Sequence, residues 1–194
     1  MPEEPFDRKV EECKSAANRL FPPNLYEVKN VFPSNGFCLV DFKRKKYEPD
    51  IDCDEYCDLN AFSEEDYDDC KQSCEENVEA AVTSSIIFDP KTESIKESAI
   101  TGQCGLSWFT AEETPEEEWP EKEKELAEFE DKFRKIGCTV SDSWVHPHEL
   151  APVGQEVEEP PAICYYHPQA SEQPLSPELK CKVSEVLKLI EENV

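Results

Sequence analysis

The stretch Asp50 to Ala81, DIDCDEYCDLNAFSEEDYDDCKQSCEENVEAA, holds four of the ten cysteines of a 194-residue chain, as C-x3-C, a connector and C-x3-C again. Residues four apart share one face of a helix. Two short helices folded back on each other would therefore set Cys57 opposite Cys70 and Cys53 opposite Cys74, a hairpin stapled by two rungs. The second arm carries the clearer helical signals. Ser63 with Asp66 three residues on makes a capping-box pattern, and Glu64, Glu65 and Asp66 suit the positive end of the helix dipole. Tyr67, Cys70, Cys74, Val78 and Ala81 then continue one stripe. The first arm, Cys53 to Asn60, is short and acidic, and needs its cross-links to hold.

The spacing resembles the twin C-x3-C pattern of plant α-hairpinins and of the small translocase chaperones of the mitochondrial intermembrane space. The likeness covers about 22 residues, Cys53 to Cys74, and is taken as convergence on one geometry.

Outward from this stretch, the remaining cysteines are Cys13, Cys38, Cys104, Cys138, Cys164 and Cys181. An even count at scattered spacing, without C-x2-C knuckles, predicts disulfides in an oxidising compartment rather than a metal site. Local sequence leaves the pairing of these six open. The charged start, MPEEPFDRKV, and a sole methionine at Met1 predict a mature secreted chain whose leader has been replaced by an initiator residue. No apolar run approaches the roughly 18 residues of a membrane span.

The net charge is −25, from 45 acidic and 20 basic residues. Such a field repels nucleic acid and anionic membranes, so the partner expected is a cationic protein. The one basic cluster, Lys43 to Lys46, reads as a solvated loop.

Toward the N-terminus, Phe6, Val10, Cys13, Ala17 and Leu20 make a helical stripe that Pro22 and Pro23 end. Tyr26 to Phe42 reads as a β-hairpin around the turn Pro33 to Gly36. Beyond the twin-cysteine stretch, Thr83 to Asp89 and Ser94 to Thr101 read as two strands, with Ile86, Ile87 and Phe88 as core candidates, and GLSWFT as a further short strand. Pro120 suits a first helical position and Gly137 a left-handed stop, which frames a helix burying Leu126, Phe129, Phe133 and Ile136. Four acid-to-base i,i+4 pairs decorate it: Glu118–Lys122, Glu128–Lys132, Glu130–Arg134 and Asp131–Lys135. Cys138 to Val145 reads as a strand. Residues 146–175 are Pro-rich and expected to be irregular, and a last helix, capped by Ser176 and opened by Pro177, shows Leu179, Val183, Val186, Leu187 and Ile190 on one face.

Candidate chemistry is sparse. Glu112, Glu113, Glu116, Glu117, Glu118 and Trp119 form an acidic segment with one aromatic, suited to a basic exosite on a partner. His146, His148 and His167 would be the zinc alternative. Asp58, Asn60, Glu64, Asp66 and Asp69 approximate the ligand order of an EF-hand, but Phe62 falls at a ligand position and Ser63 replaces the turn glycine. With five glycines in all, no phosphate loop or dinucleotide motif is formed, and no nucleophile elbow occurs.

The expectation is thus a single α+β secreted domain spanning residues 1–194, of about four helices and a small antiparallel sheet, including the stapled αα-hairpin and locked by disulfides. It takes no cofactor and no metal, and is not an enzyme. Its function would be that of a secreted acidic binding protein or inhibitor that captures a cationic host-defence, signalling or coagulation factor by electrostatic steering. The alternative is a calcium-linked or metal-binding secreted protein, and after it a metal-dependent enzyme.

Overall fold

A computed structural model of the chain describes residues 5–46, 52–102, 115–140, 144–147, 162–173, 175 and 178–193. Helices and an antiparallel sheet share one main core, with four disulfides among the described residues.

Helix α1 (Pro5–Leu20) buries Cys13, Ala16, Ala17 and Leu20. Phe6, which belongs to the same stripe, is 62% exposed. Phe21 closes the helix and inserts between Tyr26 and Phe42, with ring centroids 5.7 Å and 4.8 Å away.

Strands β1 (Tyr26–Ser34) and β2 (Phe37–Arg44) are joined by Asn35 and Gly36, both at positive φ, 50° and 85°. That is a two-residue loop whose twist matches a hairpin. Along β2 burial alternates strictly, so Cys38, Val40, Phe42 and Arg44 face the core, and Cys38 is bonded to Cys13 on α1. Helices α2 (Cys53–Asn60) and α3 (Glu64–Val82) follow, then β3 (Thr83–Phe88) and β4 (Ile95–Gly102). Ile86 and Phe88 point inward. Ile87, expected beside them, lies half-buried on the opposite face, as a period of two requires.

A single 3-10 turn, Glu116–Glu118, leads into α4 (Trp119–Lys135), with Pro120 in its first turn. Phe129 and Phe133 are buried and meet edge to face at 4.9 Å. Arg134 pairs with Glu130 at 3.7 Å and Lys135 with Asp131 at 3.1 Å. Lys132 departs from the expected pairing and reaches Asn193 at 2.8 Å, while Glu128 takes Lys124 at 4.0 Å. Gly137 ends the helix at φ 85°. The next strand, β5 (Cys138–Val140), pairs with β8 (Pro168–Ala170) in a small second sheet.

The main sheet runs β1-β2-β3-β4-β7-β6, with β6 (Trp144–Pro147) and β7 (Ala162–Tyr166), every neighbour antiparallel. Thus part of the segment expected to be irregular is strand. AICYY has the β-branched and aromatic content of one, and Pro168 sits at the first position of β8, where a missing N–H is tolerated. Cys138 to Val145, read as one strand, contributes to two sheets instead.

Helix α5 (Val183–Asn193) buries Val183, Val186, Leu187 and Ile190 against the sheet. It starts later than the Ser176-Pro177 signal implies, and both of those residues lie outside the described set. Cys181 takes φ 51°, bonds to Cys138 and accepts from the Ile95 amide at 2.9 Å, so the chain is pinned in a non-helical turn just before α5.

The expected solvated loop at Lys43 to Lys46 is overturned at Arg44, which is 1% exposed. The alternation of β2 carries it one step past Phe42 onto the inner face. There its Nε donates to Glu191 on α5 at 2.9 Å and its other nitrogens reach the carbonyls of Thr101 at 3.2 Å and Ile190 at 3.5 Å.

Candidate interaction surface

The helical pair α2 and α3 is built from local signals. Asp52 caps α2, its carboxylate accepting from the amides of Asp54 at 3.0 Å and Glu55 at 3.2 Å. The helix ends when the Ala61 amide donates to Cys57 O at 2.9 Å. Only Ala61, Phe62 and Ser63 separate it from α3, whose start is held by Ser63 Oγ accepting from Asp66 N at 3.1 Å. Disulfides join Cys53 to Cys74 and Cys57 to Cys70. Around the buried Cys57, Cys70 and Cys74 pack Cys53, Tyr56, Tyr67 and Val78, a cluster separate from the main core. The two helices are therefore held to each other by their own sulfur and ring contacts.

Its surface is strongly anionic. From Asp52 to Val82 the chain carries twelve carboxylates and one lysine, and all the carboxylates except the half-buried Asp66 are exposed. The one cation, Lys71, pairs with Asp54 at 2.9 Å, and Tyr67 donates its hydroxyl to the same carboxylate at 3.1 Å. These hydrogen bonds, that of Lys71 foremost, hold the Asp54 carboxyl below the usual range. At the base, Glu79 pairs with Lys29 on β1, and Val82 is buried. At the far end, Leu59 is 80% and Phe62 88% exposed. Neither is marked as an exposed apolar residue by the helical stripes of the sequence. The signal was there: Leu59 falls off the Cys53–Cys57 face, and Phe62 sits in a three-residue connector.

The acidic segment singled out from sequence is less organised. Glu116, Glu117 and Glu118 form one exposed turn ahead of α4, Trp119 is half-buried, and Glu112 and Glu113 lie outside the described residues. Asp58 and Asn60 belong to α2 and Glu64, Asp66 and Asp69 to α3. The calcium loop drawn through them does not form, since helix occupies most of its length. Of the histidines, His167 Nδ1 lies 3.1 Å from Ser98 O, His146 stands opposite Ile163 in the β6–β7 register, and His148 is outside the described residues. Among the described residues no three His, Cys, Asp or Glu side chains are grouped to hold a metal. Likewise, Cys104 and the strand expected at GLSWFT fall outside.

A groove of about 440 Å³ lies between the end of α1 and α5, walled by Leu20, Leu25, Tyr26, Leu187, Lys188 and Glu191. Burial foremost, and then the Glu191 charge, push the Tyr26 phenol far up.

Comparison with protein-family models, with curated proteins and with solved structures gives no match.

Proposed function

We propose that this chain is an extracellular acidic binding protein that captures a cationic protein, working as an inhibitor or effector and not as an enzyme. The observation that carries the reading is the α2–α3 pair, which holds twelve carboxylates against one lysine on a frame cross-linked by two disulfides. Fixed charge of one sign draws an oppositely charged partner into productive encounters. Cross-linking keeps helices of that composition from fraying apart under their own repulsion. Four disulfides support an oxidising compartment, and no described helix is long and apolar enough to cross a membrane.

The test is direct binding of the full oxidised chain, immobilised, to a panel of purified basic secreted proteins and a matched panel of acidic ones. Saturable binding confined to basic members is the expected result. Retention of no basic protein at low salt, or equal retention of both panels, overturns the reading.

A further inference from the structure

Leu59 and Phe62, at 80% and 88% exposed, lie three residues apart at the tip of the stapled helices, and each is more open than any other large apolar side chain described. Single exposed apolar residues are ordinary. A pair this open, three residues apart where two disulfide-linked helices join, is not.

Resting on the binding reading above, we propose that Leu59 and Phe62 are the apolar anchor of this protein, seated on binding in an apolar cleft of the cationic partner that is walled by lysine and arginine. Three observations lead there. First, the tip is held from both sides: the Cys57–Cys70 bond lies one turn beneath it, the Ala61 amide is tied to Cys57 O, and Ser63 caps α3. An anchor already fixed in place loses little freedom on binding, the property that lets a few residues dominate an interface. Second, both side chains stand almost fully exposed among the described residues, so covering them takes a recess in the partner. Third, the exposed carboxylates of Asp58, Glu64 and Glu65 adjoin it in the chain, so a positive cleft rim complements it. A second copy of this chain would press the same carboxylates together. A lipid surface would have to desolvate them.

The division of labour follows. The carboxylates along α2 and α3 set how fast the partner arrives, and the tip sets how long it stays.

The test uses the full oxidised protein, the double variant Leu59→Ser/Phe62→Ser, Phe62→Trp, and a charge variant, Glu64→Gln/Glu65→Gln, each against the same basic panel by surface plasmon resonance. Because both side chains are solvated, the double variant keeps the wild-type circular dichroism. The expected result is an association rate within about twofold of wild type with dissociation about tenfold faster or more. Phe62→Trp retains slow dissociation, and the charge variant shows the opposite split. Unchanged dissociation of the double variant from a basic protein that wild type holds overturns the anchor and leaves the binding reading standing. Failure of wild type to bind any basic protein overturns both. Binding of wild type, but not the double variant, to phosphatidylcholine vesicles assigns the tip to a membrane and overturns the protein cleft.

Discussion

Arg44 Nε lies 2.9 Å from Glu191 Oε1 across 147 residues of sequence, joining the end of β2 to the C-terminal helix. Arg44 is 1% exposed, and Glu191 with two backbone carbonyls receives its buried charge. Glu191→Gln should cost about 3 kcal/mol of unfolding free energy, because it replaces the carboxylate that receives the buried Arg44 Nε with a neutral amide. Arg44→Met/Glu191→Leu should cost less than the single change. Urea denaturation of the three proteins decides it.

Tyr26 shares this corner, and its phenol is held well above the usual pKa, chiefly by burial and then by the Glu191 charge. The folded chain therefore keeps a proton that the unfolded chain gives up. Stability from this group is complete below about pH 10 and is lost as pH rises toward the folded value, at up to about 1.4 kcal/mol per pH unit. The denaturation midpoint should fall between about pH 10 and 11, and Tyr26→Phe should flatten the fall. Some slope will persist, since Tyr56 and Tyr67 are also raised.

Gly137 and Gly36 share φ 85° but have different surroundings. A Cβ on Gly137 would lie 2.1 Å from Leu179 O, whereas one on Gly36 meets nothing within 4 Å. Gly36→Ala should cost about 1 kcal/mol, the left-handed penalty alone. Gly137→Ala should cost distinctly more, since the segment leading to Cys181 must move. Thermal unfolding of both variants checks the order.

Eight of the ten cysteines are joined in four described bonds, which leaves Cys104 and Cys164. Gly102 pairs with Cys164 across β4 and β7, bringing the chain just ahead of Cys104 within strand spacing of about 5 Å. Non-reducing peptide mapping should recover a Cys104–Cys164 fragment. Two free thiols in the denatured, unreduced chain would contradict it.

The α+β class and the disulfides were legible because each rests on local pattern: the stripe through Cys13 and Leu20, the strand propensity of FCLVDF, the stop at Gly137. What was hidden depends on partners distant in sequence. KRKK looks like loop until the register of β2 puts Arg44 inside, and the neutralising Glu191 is not visible from there. The start of α5 was misread because Ser176-Pro177 is a good local signal, overridden by a turn that Cys138 and Ile95 impose on Cys181. Residues 146–175 read as irregular from their prolines, although the stretch between Pro161 and Pro168 has strand chemistry. Leu59 and Phe62 escaped notice because sequence patterns report what is buried. Prominence at a tip is a property of the assembled shape.

The central claim is that the field of α2 and α3 brings a cationic protein in. Its most direct measure is the association rate with a basic partner as ionic strength changes, since the Debye length shrinks from about 30 Å at 0.01 M to about 8 Å at 0.15 M. The comparison is wild type against a variant with Glu64, Glu65, Asp68, Asp69, Glu75 and Glu76 changed to their amides. The account predicts a wild-type rate that falls about tenfold or more over that range and a markedly flatter, slower response in the variant. A wild-type rate indifferent to salt, or a variant that associates as fast as wild type at low salt, would contradict it.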